Sequence, residues 1–218
     1  RDFCLSRGLG DVYKRQVYLN NSFLPGLLQL MILLVTVFSI GSEMKRATSR
    51  EWLRTADDSI IIAITGKLIP QTIIFFSMGL LYLSLLYGYL HFPMHNSIWH
   101  MIFAMFLLVV ASQSFAVIIM CFAPSLRIGL SVGGLVGVLS LSIAGFSFPV
   151  PAMYLPFQAI SYVLPVRHYF LIYVDQALNG IPLYYSRVHY VALILFAVAS
   201  TPLLPRLKKA LMRQVYVP

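Results

Sequence analysis

Charge is what this sequence has least of. Asp, Glu, Lys and Arg make up 11% of the chain and hydrophobic residues 59%, whereas roughly a quarter of an ordinary soluble domain is charged. Residues 68–126 contain no Asp, Glu, Lys or Arg. Because so long a stretch without charge cannot form a hydrated surface, the composition excludes a soluble globular protein. It predicts an all-α integral membrane protein.

Cysteine and catalytic motifs are also scarce. Only Cys4 and Cys121 occur, which argues against a disulfide framework. The sequence has no G-x-x-x-x-G-K-[ST], H-E-x-x-H or G-x-S-x-G motif. His91, His95 and His100 flank a short turn without Asp, Glu or Cys nearby, so we interpret them as interfacial polar residues. The sequence thus predicts no enzyme, and no metal or cofactor bound by this chain itself.

The chain has a formal net charge of +9, which raises the question of nucleic acid. Its basic residues, however, form short clusters between apolar runs, and no continuous basic face could follow a phosphate backbone. Lys and Arg concentrate in the 41–67 loop, the 124–127 turn and the C-terminal tail. The positive-inside rule therefore predicts that this loop and the C-terminus are cytoplasmic.

The first residues need separate treatment. Residues 6–16, SRGLGDVYKRQ, read like a translated transposase adaptor from a sequencing library. We therefore predict that residues 1–16 are an artefact tail and that residues 17–218 form the membrane domain. No Met precedes Val17, and we expect the natural protein to begin further upstream.

Five apolar runs are each long enough, at about 1.5 Å per residue, to cross a hydrocarbon core of about 30 Å. They predict spans at 22–40, 68–90, 99–122, 128–148 and 188–204. Pro70 then falls in the first turn of the second span, where proline is tolerated. The apolar but proline-punctuated segment 149–187 predicts short re-entrant or interfacial helices in the outer leaflet.

The charged stretch 41–67 contains few helix breakers and predicts a helical loop outside the bilayer. On a helical wheel Arg46, Arg50 and Arg54 lie four residues apart on one stripe that continues to Asp58. Two interpretations stay open. The stripe faces anionic lipid head groups, or it is a docking surface for an acidic cytoplasmic partner.

Gly129, Gly133 and Gly137 recur every four residues and so share one helix face. Such a face lets another helix backbone approach closely. The spacing predicts helix packing, within the bundle or between subunits, and leaves open that the face lines a translocation surface.

Two stretches resemble type 2 ATP-binding-cassette (ABC) exporter permeases. The run EMKRATSREWLRTADDSIIIAITGKLIP is similar to the loop pattern E-x-x-x-G-T-x-E-x-L followed by G-K-x-x-P, with Ala47 where the family usually has Gly. The run GFSFPVPAMYLPFQAISYVLPVRHYF is similar to the pattern G-x-x-[FY]-P followed by M-P and a further proline. The loop matches are Glu43, Thr48, Leu53, Gly66, Lys67 and Pro70.

The resemblance implies that a coupling helix in the loop seats in a separate cytoplasmic ABC ATPase subunit, which binds ATP and Mg. The coupling residues implied are Glu43, Arg46, Thr48, Arg50, Glu51, Trp52, Leu53, Arg54 and Lys67. The residues implied for an outer gate or re-entrant segment are Phe148, Pro149, Met153, Pro156, Pro165 and Tyr169.

The resemblance also implies a second permease copy or paralogue, the bacterial inner membrane as location, and a missing first helix. It leaves room for a periplasmic membrane-fusion adaptor. An alternative is a membrane-embedded enzyme or lipid-modifying protein that uses Arg167, His168 and Asp175, since ionisable residues in such a segment are often functional. A purely structural membrane subunit is a third interpretation.

Overall fold

The computed structural model describes the backbone of residues 2–92, 95–144 and 153–213, and side chains from Phe23 to Met212 within those ranges. The described residues form helices joined by short turns, with no strand among them. The helices are α1 Asp2–Lys45, α2 Ser49–Thr55, α3 Ile60–Leu83, α4 Ile98–Phe122, α5 Leu126–Ile143, α6 Leu155–Tyr162, α7 Pro165–Tyr173, α8 Leu183–Val198 and α9 Leu204–Arg213. Turns of π-helix continue α3 over Ser84–Tyr89 and α7 over Val174–Leu178.

Five helical stretches are long and apolar enough to cross a membrane, which confirms the predicted fold class. They are Phe23–Lys45, Ile60–Tyr89, Ile98–Phe122, Leu126–Ile143 and Leu183–Met212. Since successive spans alternate in direction, α2 and α9 lie at one end of the bundle, the α2 end. The segments with α6 and α7 lie at the other, the α7 end.

Pro70 lies inside α3 and not in its first turn, which corrects the predicted position. The apolar residues from Ile60 onward extend the helix toward the loop, so the span begins earlier than residue 68. Polar groups gather beside the proline. The Thr72 hydroxyl donates to the Leu68 carbonyl (2.9 Å) and lies 2.8 Å from Gln113 Oε1. The second of these contacts links α3 to α4 just after the proline.

The central helix is α4. Of its most apolar stretch 67% is buried inside the bundle, against 17–44% of the corresponding stretches in the other four spans. A buried cluster at the α7 end joins Met105 and Leu108 of α4 to Tyr169 and Tyr173 of α7. A second buried cluster, at the α2 end, joins α4 to α1, α2, α3 and α9. The two ends therefore have separate cores along one shared helix.

The glycine stripe of α5 faces α1 of the same chain. A Cβ added at Gly129 would lie 3.0 Å from Val37 Cγ1, and one at Gly137 would lie 3.3 Å from the Leu30 backbone. A Cβ at Gly133 would meet Val37 at an ordinary 3.6 Å. The glycines thus let α1 and α5 pack backbone to backbone.

A buried glutamine connects three helices near the α7 end. Gln29 of α1 accepts a hydrogen bond from the backbone N–H of Val166 (2.8 Å) and donates to Ser140 Oγ (3.1 Å). The first N–H groups of a helix have no partner within it. Gln29 therefore satisfies the start of α7 and fixes it to α1 and α5.

Candidate functional site

The predicted coupling loop is shorter and more bent than a single helix. Its backbone turns at Ala47 (φ 58°), forms the short helix α2, and turns again at Asp57 (φ 54°) and Asp58 (φ 55°). The prediction of one continuous stripe from Arg46 to Asp58 is therefore wrong. The Thr48 N–H and the Ser49 hydroxyl both donate to the Glu43 carbonyl at 3.1 Å, and these bonds end α1.

Ala47, which stands where the similar family pattern has Gly, has a left-handed backbone. Glycine adopts a positive φ without a steric cost, whereas a Cβ makes it unfavourable. The resembling family usually has Gly at this position. Ala47 adopts this left-handed turn at the cost of backbone strain.

Four predicted coupling residues hold the loop together from the inside. The Glu43 carboxylate forms an ion pair with Lys67 Nζ (2.6 Å) and accepts a hydrogen bond from Thr48 Oγ1. Lys67 Nζ also lies 4.8 Å from the centre of the Trp52 ring. We call Glu43, Thr48, Trp52 and Lys67 the latch. It links the end of α1, the helix α2 and the first half of α3.

Leu53 is fully buried beneath α2, in the cluster that contains Leu207 and Leu211 of α9. Lys208 Nζ of α9 donates to the Asp58 carbonyl at 2.6 Å. This helix lies where the charge pattern predicts only a basic tail. The signal was the three- and four-residue spacing of Leu204, Leu207 and Leu211, which is typical of an amphipathic helix.

The other predicted coupling residues point outward. Arg46, Arg50, Glu51 and Arg54 are exposed, and among the described side chains none of them forms an ion pair. Arg206 and Lys209 of α9 are exposed on the neighbouring surface. The predicted coupling residues thus divide into a latch that shapes the loop and an exposed, mainly basic face.

At the α7 end, Phe148 and Pro149 of the predicted gate lie outside the described residues. Met153 precedes α6, and its carbonyl accepts a hydrogen bond from Gln158 Nε2 (2.8 Å). Pro156 lies exposed in the first turn of α6, whereas Pro165 begins the buried helix α7 and Tyr169 is 1% exposed. The exposed α6 and the buried α7 therefore divide the predicted gate residues between them.

The three residues of the enzyme alternative are not joined as an acid–base set. Arg167 donates to Ser161 Oγ (2.8 Å), and its guanidinium lies 4.4 Å from the centre of the Tyr162 ring. His168 Nε2 lies 3.0 Å from the Tyr162 carbonyl. Asp175 accepts from the Ser186 hydroxyl (3.0 Å), and it makes no ion pair with Arg167 or His168.

The three histidines at the 91–97 turn each contact a backbone carbonyl. His91 lies 2.9 Å from the Tyr89 carbonyl, His95 3.2 Å from that of Ala177 and His100 3.3 Å from that of Ser97. In the part of the chain that the structure describes, no group of three or more His, Cys, Asp or Glu side chains could hold a metal ion.

A family model described as "ABC-2 family transporter protein" matches residues 10–204, from the N-terminal helix to the start of α9. The chain belongs to this family. No curated protein matches the sequence. The match begins inside the stretch 1–16, whose interpretation as an artefact stays a prediction.

ABC-2 chains are the membrane component of ABC transporters, so membership implies association with an ABC ATPase subunit. In this ABC-2 chain the residues of the E-x-x-x-G-T and G-K patterns mostly shape the loop. The side chains of Glu43 and Lys67 are 25% and 22% exposed and form an ion pair with each other. The exposed residues of α2 include Arg50, Glu51 and Arg54.

Proposed function

We propose that this chain is the permease subunit of an ATP-driven exporter and that its ABC ATPase docks on the exposed face of α2. The ATPase binds ATP and Mg, and this chain supplies the pathway. The division of α2 into a fixed inner face and an exposed charged outer face supports this proposal. A helix that receives a mechanical push must be accessible on one side and rigidly connected on the other.

The connections of α2 support the transmission step. The latch joins α2 to α1 and α3, and Leu53 with Lys208 joins it to α9, which follows α8. A displacement of α2 by the closing ATPase would therefore reach three spans together. Since packed elements switch between discrete arrangements and do not deform smoothly, this movement would rearrange the bundle.

The remaining parts of the proposal follow the distribution of charge and apolar surface. In this proposal the α2 end and the C-terminus are cytoplasmic, which the positive-inside rule favours for an exposed basic face, and the protein lies in a bacterial inner membrane. The α6–α7 segment then closes the pathway from outside. The outer face of α5 exposes Ile128, Leu135 and Val138, and a second permease copy or lipid would cover it. A periplasmic adaptor would meet the α7 end.

The test reverses two charges. Arg50→Glu with Arg54→Glu, in the full chain co-expressed with its cognate ABC ATPase, should reduce co-purification and transport-stimulated ATP hydrolysis by at least about tenfold, because several contacts between charged groups are replaced by repulsion. Arg187→Glu is the matched control, since Arg187 is an exposed arginine at the α7 end.

Unchanged association and hydrolysis in the double variant would overturn the docking proposal. So would an equal loss in the Arg187 control, because the effect would then reflect overall charge. If the arginines only face anionic lipid, the double variant should weaken binding to anionic vesicles and leave ATPase association intact.

A further inference from the structure

Arg167 is a buried cation that has no ion-pair partner among the described residues. Its side chain is 7% exposed and lies between the first turn of α7 and the end of α6. Nη1 donates to Ser161, and the guanidinium stacks on Tyr162. The Nε–H is buried and has no hydrogen-bond partner among the described residues.

The surrounding groups do not neutralise it. Asp175 accepts from Ser186 and makes no ion pair with Arg167. The other acidic residues whose side chains the structure describes, Glu43, Glu51, Asp57 and Asp58, all lie at the α2 end. His168 and His189, whose ring nitrogens are 3.5 Å apart, add no negative charge.

The guanidinium of arginine stays charged in proteins. Burial of a charge is costly unless it is paired and hydrogen-bonded. Arg187 forms the same kind of stack, 3.8 Å from the centre of the Tyr184 ring, but it is exposed. The two arginines therefore differ in burial and not in their aromatic contact. The buried one lacks an anion.

We propose that Arg167 binds a phosphate-type oxyanion, supplied by the head group of a phospholipid that enters between α6 and α7. The free Nε–H and a terminal N–H lie on one edge of the guanidinium. They form the fork that binds two oxygens of a phosphate side by side. Gln29 already occupies the Val166 N–H, so the oxyanion is held by the side chain and not by the amide groups of α7.

The surroundings favour a lipid as the source. Tyr162, which covers the guanidinium, is 56% exposed and can move aside. The helix α6 exposes Leu155 (80%), Phe157 (49%) and Ile160 (45%) beside it. An exposed apolar helix of this kind lies where head groups meet acyl chains. A phosphodiester attached to acyl chains fits both the cation and the apolar surface that leads to it.

The experiment uses the full chain, delipidated in uncharged maltoside micelles, and measures lipid retained by native mass spectrometry together with the midpoint of thermal unfolding. The additions are dioleoyl phosphatidylglycerol, dioleoylglycerol with the same acyl chains and no phosphate, and inorganic phosphate. Wild type should retain phosphatidylglycerol and unfold at a higher temperature with it, and should not respond to dioleoylglycerol.

Arg167→Met should retain at least about fivefold less phosphatidylglycerol and lose the thermal shift. Arg167→Lys, which keeps the charge but not the fork, should fall between the two. Arg187→Met should behave as wild type, because an exposed arginine contributes only general attraction. If Arg167→Met fails to fold, undiminished retention by Arg167→Lys overturns the proposal.

Equal responses to phosphatidylglycerol and dioleoylglycerol would also overturn it, as would an equal loss in Arg187→Met. A thermal shift with inorganic phosphate as large as that with the lipid would keep the oxyanion site and overturn the lipid as its source. None of these measurements involves the ATPase, so they succeed or fail independently of the export proposal.

Discussion

The two ends of the bundle use charge in opposite ways. At the α2 end, Arg50 and Arg54 are exposed on the short helix α2, whereas the partly buried Glu43 and Lys67 form an ion pair. At the α7 end, Arg167 is enclosed between two helices without a paired carboxylate. An exposed charge is hydrated and accessible to a partner, whereas a buried charge without an ion pair is stabilised when a ligand of opposite charge binds. Substitutions should therefore affect recognition at one end and folding or lipid binding at the other.

The largest effect is expected for Leu53→Ala. Removal of a fully buried leucine leaves a cavity and costs about 2–5 kcal/mol. Because Leu53 lies between α2 and α9, the loss should release α2 locally and leave the core at the α7 end intact. Hydrogen exchange followed by mass spectrometry should show faster exchange in residues 46–58 and 204–213 only. Met212→Ala, at a side chain 44% exposed, is the control. Uniform exchange along the chain would contradict this separation.

Glycine substitutions sharpen the comparison along α5. The methyl group of Gly137→Ala would overlap Leu30 Cδ1 and lie 3.3 Å from Leu30 Cα, whereas at Gly129 the nearest atom is Met120 Sδ at 2.8 Å and no backbone atom lies closer than 3.7 Å. Overpacking costs about 1–3 kcal/mol, and we expect Gly137→Ala to lie in this range and Gly129→Ala below it. Thermal unfolding in micelles measures both. Gly66→Ala, with nothing within 4 Å, should be neutral or slightly stabilising.

Gln29→Leu should cost about 1–3 kcal/mol, because it leaves the Val166 N–H without a partner. The damage should fall on α7 and spare α2, which is the reverse of the result for Leu53→Ala. Hydrogen exchange of residues 165–173 is the measurement. Gln71→Leu serves as control, since Gln71 is less buried and accepts only from Thr36 (3.2 Å). Faster exchange at α2 in Gln29→Leu would show that the two ends are not independent.

The smallest expected effect is a gain in stability. Ala47→Gly relieves the left-handed backbone at φ 58° and should stabilise the loop by about 1 kcal/mol, since that is the approximate cost of a Cβ in this conformation. The expected readout is slower hydrogen exchange at residues 46–52. Ala199→Gly, in a helical conformation, should instead lower stability. A loss in both variants would contradict the strained turn.

The sequence predicted the five apolar helices because lipid-facing and buried positions in a membrane are alike apolar, so hydropathy alone marks them. It did not predict where α3 begins. The apolar run 60–65 lies between charged residues, and this charge pattern predicts that it belongs to the loop. The bend at Ala47 was also not predicted, although the glycine that the family pattern has at this position indicates a turn.

The partners of the candidate site could not be predicted for a different reason. Lys208 contacts the Asp58 carbonyl across 150 positions of sequence, and Gln29 contacts Val166 across 137. A single sequence carries no signal for such distant pairs. The role of the motif residues in ATPase coupling stays a prediction. Their division into a latch and an exposed face depends on which way each side chain turns, and that is set by tertiary packing.

The contact between α9 and α2 also sets an order of biogenesis. The ribosome synthesises α9 after α1 to α8, so Leu53 stays uncovered while the earlier helices enter the membrane. During that interval the exposed arginines already exist, but the helix that carries them has no support beneath it. If the proposed docking is correct, a nascent chain would acquire a firm surface for the ATPase only once α9 has packed against α2.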